Sequence, residues 1–150
     1  MTAISTRPVR DARVENRVNV VPGDASLLRF ALRADATLCA GLGLLTAVAA
    51  DPLSRLSGLS STSEWIAGAA LVAYGATLYV LAGVPDVRRV GAVVLAGNVA
   101  FAVLVAVVLI AGWLPLTDLG AAGIIAFTVV TLAFAFAQYL GVRRSGVTPT

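Results

Sequence analysis

The chain alternates long apolar runs with short polar breaks. Four runs stand out, at about residues 27–50, 65–84, 90–113 and 121–140, separated by "DPLSRLSGLSSTSE", "PDVRR" and "LPLTDLG". The breaks are rich in Pro, Gly, Ser and charged residues, which punctuate turns. Each run approaches or exceeds the roughly 20 apolar residues that a helix needs to cross a bilayer. In lipid every backbone N–H and C=O must be paired internally, and a helix does this within one segment. The pattern therefore predicts an all-α fold, a four-transmembrane-helix bundle over 25–144, with polar tails at 1–24 and 145–150. Asp24, after "PG", is placed to cap the first helix.

Composition sharpens this picture. Hydrophobic residues make up 59% of the 150 and charged ones only 13%, with a mean hydropathy of +0.91, far from the mix of a water-soluble domain. There is no histidine, and Cys39 is the single cysteine. An internal disulfide, dithiol redox chemistry and His-ligated haem are thereby excluded, and zinc loses its usual ligands. A glycine-rich phosphate loop, a nucleophile beside a base and a pair of carboxylates are all missing. The chain thus reads as a non-enzyme that needs no cofactor and contacts no nucleic acid.

The eleven basic residues are all arginine, and their placement matters more than their sum. Arg7, Arg10, Arg13, Arg17, Arg29 and Arg33 precede or open the first run, Arg88 and Arg89 lie in the second break, and Arg143 and Arg144 follow the last run; only Arg55 falls on the other side. Short arginine-rich loops stay in the cytoplasm, so both termini are expected inside. Trp65 and Trp113 then fall at the outer interface, where indole rings favour the headgroup level. The tail has no uninterrupted apolar stretch before Leu27 and so does not read as a signal peptide. Its alternating charges suggest a solvated arm held near anionic headgroups, with a partner-binding helix as the alternative.

An internal repeat is also suggested. "PLSRL" begins at Pro52 and "PLTDL" at Pro115, 63 residues later, and the same offset carries Asp35 onto Asn98. "VRR" occurs at Val87–Arg89 and again at Val142–Arg144, where it would close each returning helix. Together these suggest two helical hairpins in the same orientation, a parallel repeat about an axis along the membrane normal. Small residues recur at helical spacing: Gly68, Gly75 and Ala82 in the second run, Ala92, Ala96 and Ala100 in the third, Ala133, Ala137 and Gly141 in the fourth. Such stripes allow close helix approach, within the bundle or between copies, although Ala and Gly are abundant throughout.

Against this background Asp35 is the residue that asks for an explanation. Arg29 and Arg33 can snorkel to headgroups, but an aspartate about 12 Å inside its helix is too short to do so. It needs a partner. Asn98, Gln138 and Tyr139 belong to the same half of the bundle, with Thr37 and Tyr79 close in depth. The expectation is a buried polar layer in which Asp35 accepts hydrogen bonds from Asn98, Gln138, Tyr139 or an arginine such as Arg33. Such a layer could staple the helices in register, or it could be a proton, cation or small-molecule site.

The run "LRADATLCAGLGLLTAVAADPLSRLSGL", the lone Asn98 and "AFAFAQYLGVRR" resemble a family of small, uncharacterised bacterial four-helix membrane proteins. In that family the first helix reads L-R-x-D-A, a P-L-x-x-L-L-G-L stretch follows, and the chain ends in a Q-x-x-G-x-R-R-type motif. The likeness spans roughly 27–144 and matches at Arg33, Asp35, Asn98, Gln138, Arg143 and Arg144; Phe101 fills a place that is often Trp. It implies the fold and the polar layer only, and no activity; the expected location is a bacterial cytoplasmic membrane with both termini inside. Small multidrug exporters are similar in size, but their acid lies mid-membrane within an A-E-x-x-W-type stretch that is absent here. The expected role is structural, as a homo-oligomer or an accessory subunit of a larger membrane complex. A small transporter or channel with its site at Asp35 and Asn98 is the alternative.

Overall fold

The computed structural model describes residues 22–144, and the calls on the two tails, including Arg7, Arg10, Arg13 and Arg17, lie outside them. These residues form five helices: α1 (Pro22–Val48), α2 (Ala50–Ser57), α3 (Ser61–Leu81), α4 (Val87–Ala111) and α5 (Asp118–Arg144). Among the described residues there is no strand. All but α2 are long and apolar enough to cross a membrane.

Helix ends follow local chemistry. Helix α1 is described from Pro22 on, and the expected Asp24 cap lies outside the residues whose side chains are described. Ser60 caps α3 by accepting from the Ser63 amide, and Asp86 caps α4 by accepting from the Arg89 amide. Gly112, at φ +63°, closes α4 in the left-handed conformation.

Two expectations are corrected here. The first break is not simply a loop, because its first half joins Ala50 in α2, which is separated from α1 by Ala49 alone. Pro52 is tolerated in the first turn, where amides have no helical partner, and Gly58 at φ +86° ends the helix. The "VRR" at Val87–Arg89 does not close a returning helix either. α3 stops at Leu81, and Val87–Arg89 is the first turn of α4.

α1 is the central element and touches each of the other helices, most extensively α3. Their contact is close because glycine lines it. A Cβ on Gly75 would lie 2.6 Å from the Ala36 carbonyl oxygen and 2.7 Å from the Ala40 amide nitrogen, and one on Gly68 would lie 2.5 Å from the Ala47 amide. Backbone contacts of this kind replace the hydrophobic drive that helices lack in lipid. On the other side, Leu28 sits against Gly91 of α4 and Gly141 of α5. It belongs to a core of Leu32, Ala36, Leu78, Ala82, Val87 and Val94, at the end of the bundle where α1 begins and α5 finishes. There Arg29 donates to the Ala82 carbonyl at 2.7 Å, satisfying a free acceptor at the end of α3.

The opposite end is latched by hydrogen bonds. The Thr117 amide donates to the Ser57 carbonyl at 2.9 Å, and the Thr117 hydroxyl donates to the Leu56 carbonyl. α4 and α5 pack on each other, with Phe101 and Phe127 edge to face at 6.0 Å. α3 and α4, by contrast, do not pack along one another among the described residues.

Candidate functional site

Three helices each direct one strongly polar side chain inward. Asp35 lies on the buried face of α1 with Leu28, Leu32 and Cys39, Asn98 on that of α4 with Gly91 and Val94, and Gln138 on that of α5 with Ala135 and Gly141. Steps of three and four residues keep each polar group on the same stripe as its apolar neighbours. Exposures of 2, 5 and 0% for Asp35, Asn98 and Gln138 leave none of them to solvent or lipid. Asp35 is ten residues into the apolar segment Ala25–Val48, about 15 Å along it.

The three meet in a closed triangle. Oδ2 of Asp35 accepts from Nε2 of Gln138 at 3.0 Å and from Nδ2 of Asn98 at 3.4 Å, and the same Asn98 amide donates to Oε1 of Gln138 at 3.3 Å. Oδ1 of Asp35 accepts from the Cys39 thiol at 3.5 Å, one turn along α1. The Tyr74 hydroxyl of α3 donates to Oδ1 of Asn98 at 3.3 Å. All four long helices are thus joined at one level. Among the described residues no buried side-chain nitrogen or oxygen lacks a hydrogen-bond partner. The described donors to Asp35 are two neutral amides and a thiol.

Of the residues expected in the layer, Asp35, Asn98 and Gln138 come together, and Tyr139 and Arg33 do not. Neighbours on a helix point about 100° apart, so Gln138 facing inward turns Tyr139 outward. Tyr139 is exposed, and its hydroxyl accepts from Arg143 at 3.3 Å, with that guanidinium 5.6 Å from the ring centre. Arg33, two positions before Asp35, is also exposed and lies 6.0 Å over the Tyr79 ring. The Thr37 hydroxyl donates to the Arg33 carbonyl and contacts no member of the layer.

Sequence reasoning missed Cys39 and Tyr74. The first was recoverable, since i and i+4 share a helix face. Nothing local marks Tyr74, which reaches Asn98 only because Gly75 and Gly68 draw α3 onto α1. A second polar cluster was missed at the latched end, where Glu64, buried in α3, accepts from the Ser57 hydroxyl at 2.5 Å. No metal-binding group of three or more His, Cys, Asp or Glu occurs among the described residues. Compared with known proteins, the chain matches no family model, no curated protein and no solved structure.

Proposed function

We propose that this chain is a non-enzymatic integral membrane protein of a bacterial cytoplasmic membrane that works through helix packing, as a homo-oligomer or as an accessory subunit of a larger membrane complex. The observation that carries this reading is the closure of the polar layer on itself. The carboxylate of Asp35 and the amides of Asn98 and Gln138 satisfy one another, which suits a staple that holds helices in register. The outside of the bundle supports association: Ala92, Ala96 and Ala100 line an outward strip of α4, where a neighbouring helix could approach closely.

Both termini are proposed to be cytoplasmic, since Arg88, Arg89, Arg143 and Arg144 share one end of the bundle. The proposed parallel repeat draws support from helix ends and burial. An offset of 63 residues relates the ends of α1 and α4 at Val48 and Ala111. It also pairs the buried positions Leu28 with Gly91, Asp35 with Asn98 and Gly75 with Gln138. The likeness to small bacterial four-helix membrane proteins agrees with this assignment.

Purification in mild detergent, with native mass spectrometry of the intact particle, tests the role. A stoichiometric partner or a defined homo-oligomer supports it, whereas a monomer without partners at native abundance refutes it. A transporter or channel is the second reading, favoured by a buried acid whose described partners are all neutral. In that case Asp35→Asn abolishes flux in reconstituted vesicles while leaving the fold intact.

A further inference from the structure

An open groove of about 560 Å³ lies at the arginine-rich end, along one face of α4 beside the turn that joins it to α3. Leu81, Val84, Val90, Val93 and Val94 line it, and Arg89 stands at its mouth. Under a two-fold relating the hairpins, the packing of α1 on α5 would have its counterpart in α3 on α4. α3 and α4 instead meet through Tyr74 and Asn98 without packing along one another, and the groove lies between that contact and the turn. The groove runs toward the polar layer and stops one turn short of it, at Val94, four residues before Asn98.

We infer that this groove binds an anionic phospholipid, one acyl chain lying on the valines of α4 and the phosphate held by Arg89. Charge and shape both argue for this occupant. Six of the eight lining residues are apolar, and the open groove lies along a helix long enough to cross a bilayer, so a hydrocarbon chain can enter from surrounding lipid. Other arginines near this end are engaged: Arg29 with the Ala82 carbonyl, Arg33 with Tyr79, Arg143 with Tyr139. The Arg89 side chain, although exposed, makes no such contact among the described residues, and a guanidinium is well shaped to grip phosphate in a fork. Asp86 also borders the groove, but its carboxylate accepts from the Arg89 backbone amide as the cap of α4. Arg88 and Arg89 together leave that corner net positive. The site is independent of the role proposed above, because a lipid lying along α4 at this turn is compatible with a subunit or a transporter.

The test titrates dioleoyl phosphatidylglycerol and dioleoyl phosphatidylcholine against the full chain in mild detergent and counts bound lipid by native mass spectrometry. The expected result is one phosphatidylglycerol retained with about tenfold preference over phosphatidylcholine. Arg89→Gln should remove the preference, and Val93→Trp, which fills the groove from its rim, should remove the bound lipid of either kind. Arg144→Gln, at the same end but not lining the groove, should leave both intact. Melting and far-UV circular dichroism check that each variant is folded. Equal binding of the two lipids to the unaltered protein would overturn the proposal, as would an Arg144→Gln effect equal to that of Arg89→Gln. Efficient disulfide crosslinking of two copies through Val93→Cys in native membranes would overturn it as well, since a second copy would then fill the groove.

Discussion

Replacing Asp35 with alanine removes the acceptor shared by two helices, and the geometry gives the size of the loss. Nε2 of Gln138 has its described bond to Oδ2 of Asp35, so it is left without a partner in a fully buried position. Nδ2 of Asn98 keeps Oε1 of Gln138. One orphaned buried donor costs about 1–3 kcal/mol in soluble proteins. Between membrane helices hydrogen bonds average about 0.6 kcal/mol with a maximum of about 1.7, because the unfolded chain in lipid also finds partners. With the small void left by the carboxylate, Asp35→Ala should lose about 2 kcal/mol, a shift of roughly 30-fold in the folding equilibrium. Asp35→Asn can place its amide oxygen where Oδ2 was, retaining both amide donors and giving up only the weak Cys39 thiol contact. Its new amide N–H groups face only the weakly accepting Cys39 sulfur, so it should cost about 1 kcal/mol, still less than Asp35→Ala.

The assay is reversible unfolding by SDS in mixed micelles, followed by circular dichroism, within a double-mutant cycle. Asp35→Ala combined with Gln138→Ala should show about 1 kcal/mol of coupling, and Asp35→Ala combined with Tyr139→Ala close to none. If Asp35→Asn is as damaging as Asp35→Ala, charge and not acceptor geometry holds the layer together. That result, or equal coupling to Gln138 and Tyr139, would refute the triangle as the source of stability.

Glycines separate packed from open positions. Gly75→Leu forces a side chain onto the backbone of Ala36 and Ala40 and should cost more than about 3 kcal/mol in the same SDS titration, while Gly97→Ala, with nothing within 4 Å, should be neutral or gain up to about 1 kcal/mol from helix propensity. Cys39 is 4% exposed and bonded to Asp35, so N-ethylmaleimide should label it slowly in mild detergent and quickly in SDS, read as a mass shift; rapid labelling of the folded protein would contradict its burial.

Hydrophobic pattern alone determined the class of this protein. Runs such as 90–113 have no soluble alternative, and the cost of unpaired backbone in lipid makes them helices whatever surrounds them. Asp35 was legible for the same reason, since an acid in a greasy run needs a partner, and the 63-residue offset picked out Asn98. Three-dimensional packing decided the rest. Whether Gln138 or Tyr139 completes the layer depends on the rotation of α5 against α1, which is set by Leu28 lodging against Gly141 and Gly91. Tyr74 joins only because glycines bring α3 close. α2 has its stop written in Gly58, but its seat depends on Ser57 meeting Thr117 across 60 residues of chain. The groove at Arg89 is a property of how the turn after α3 stands against the face of α4. A sequence lists side chains along each helix, but how far a helix turns, and which neighbour it leaves uncovered, is settled by contacts between segments distant in the chain.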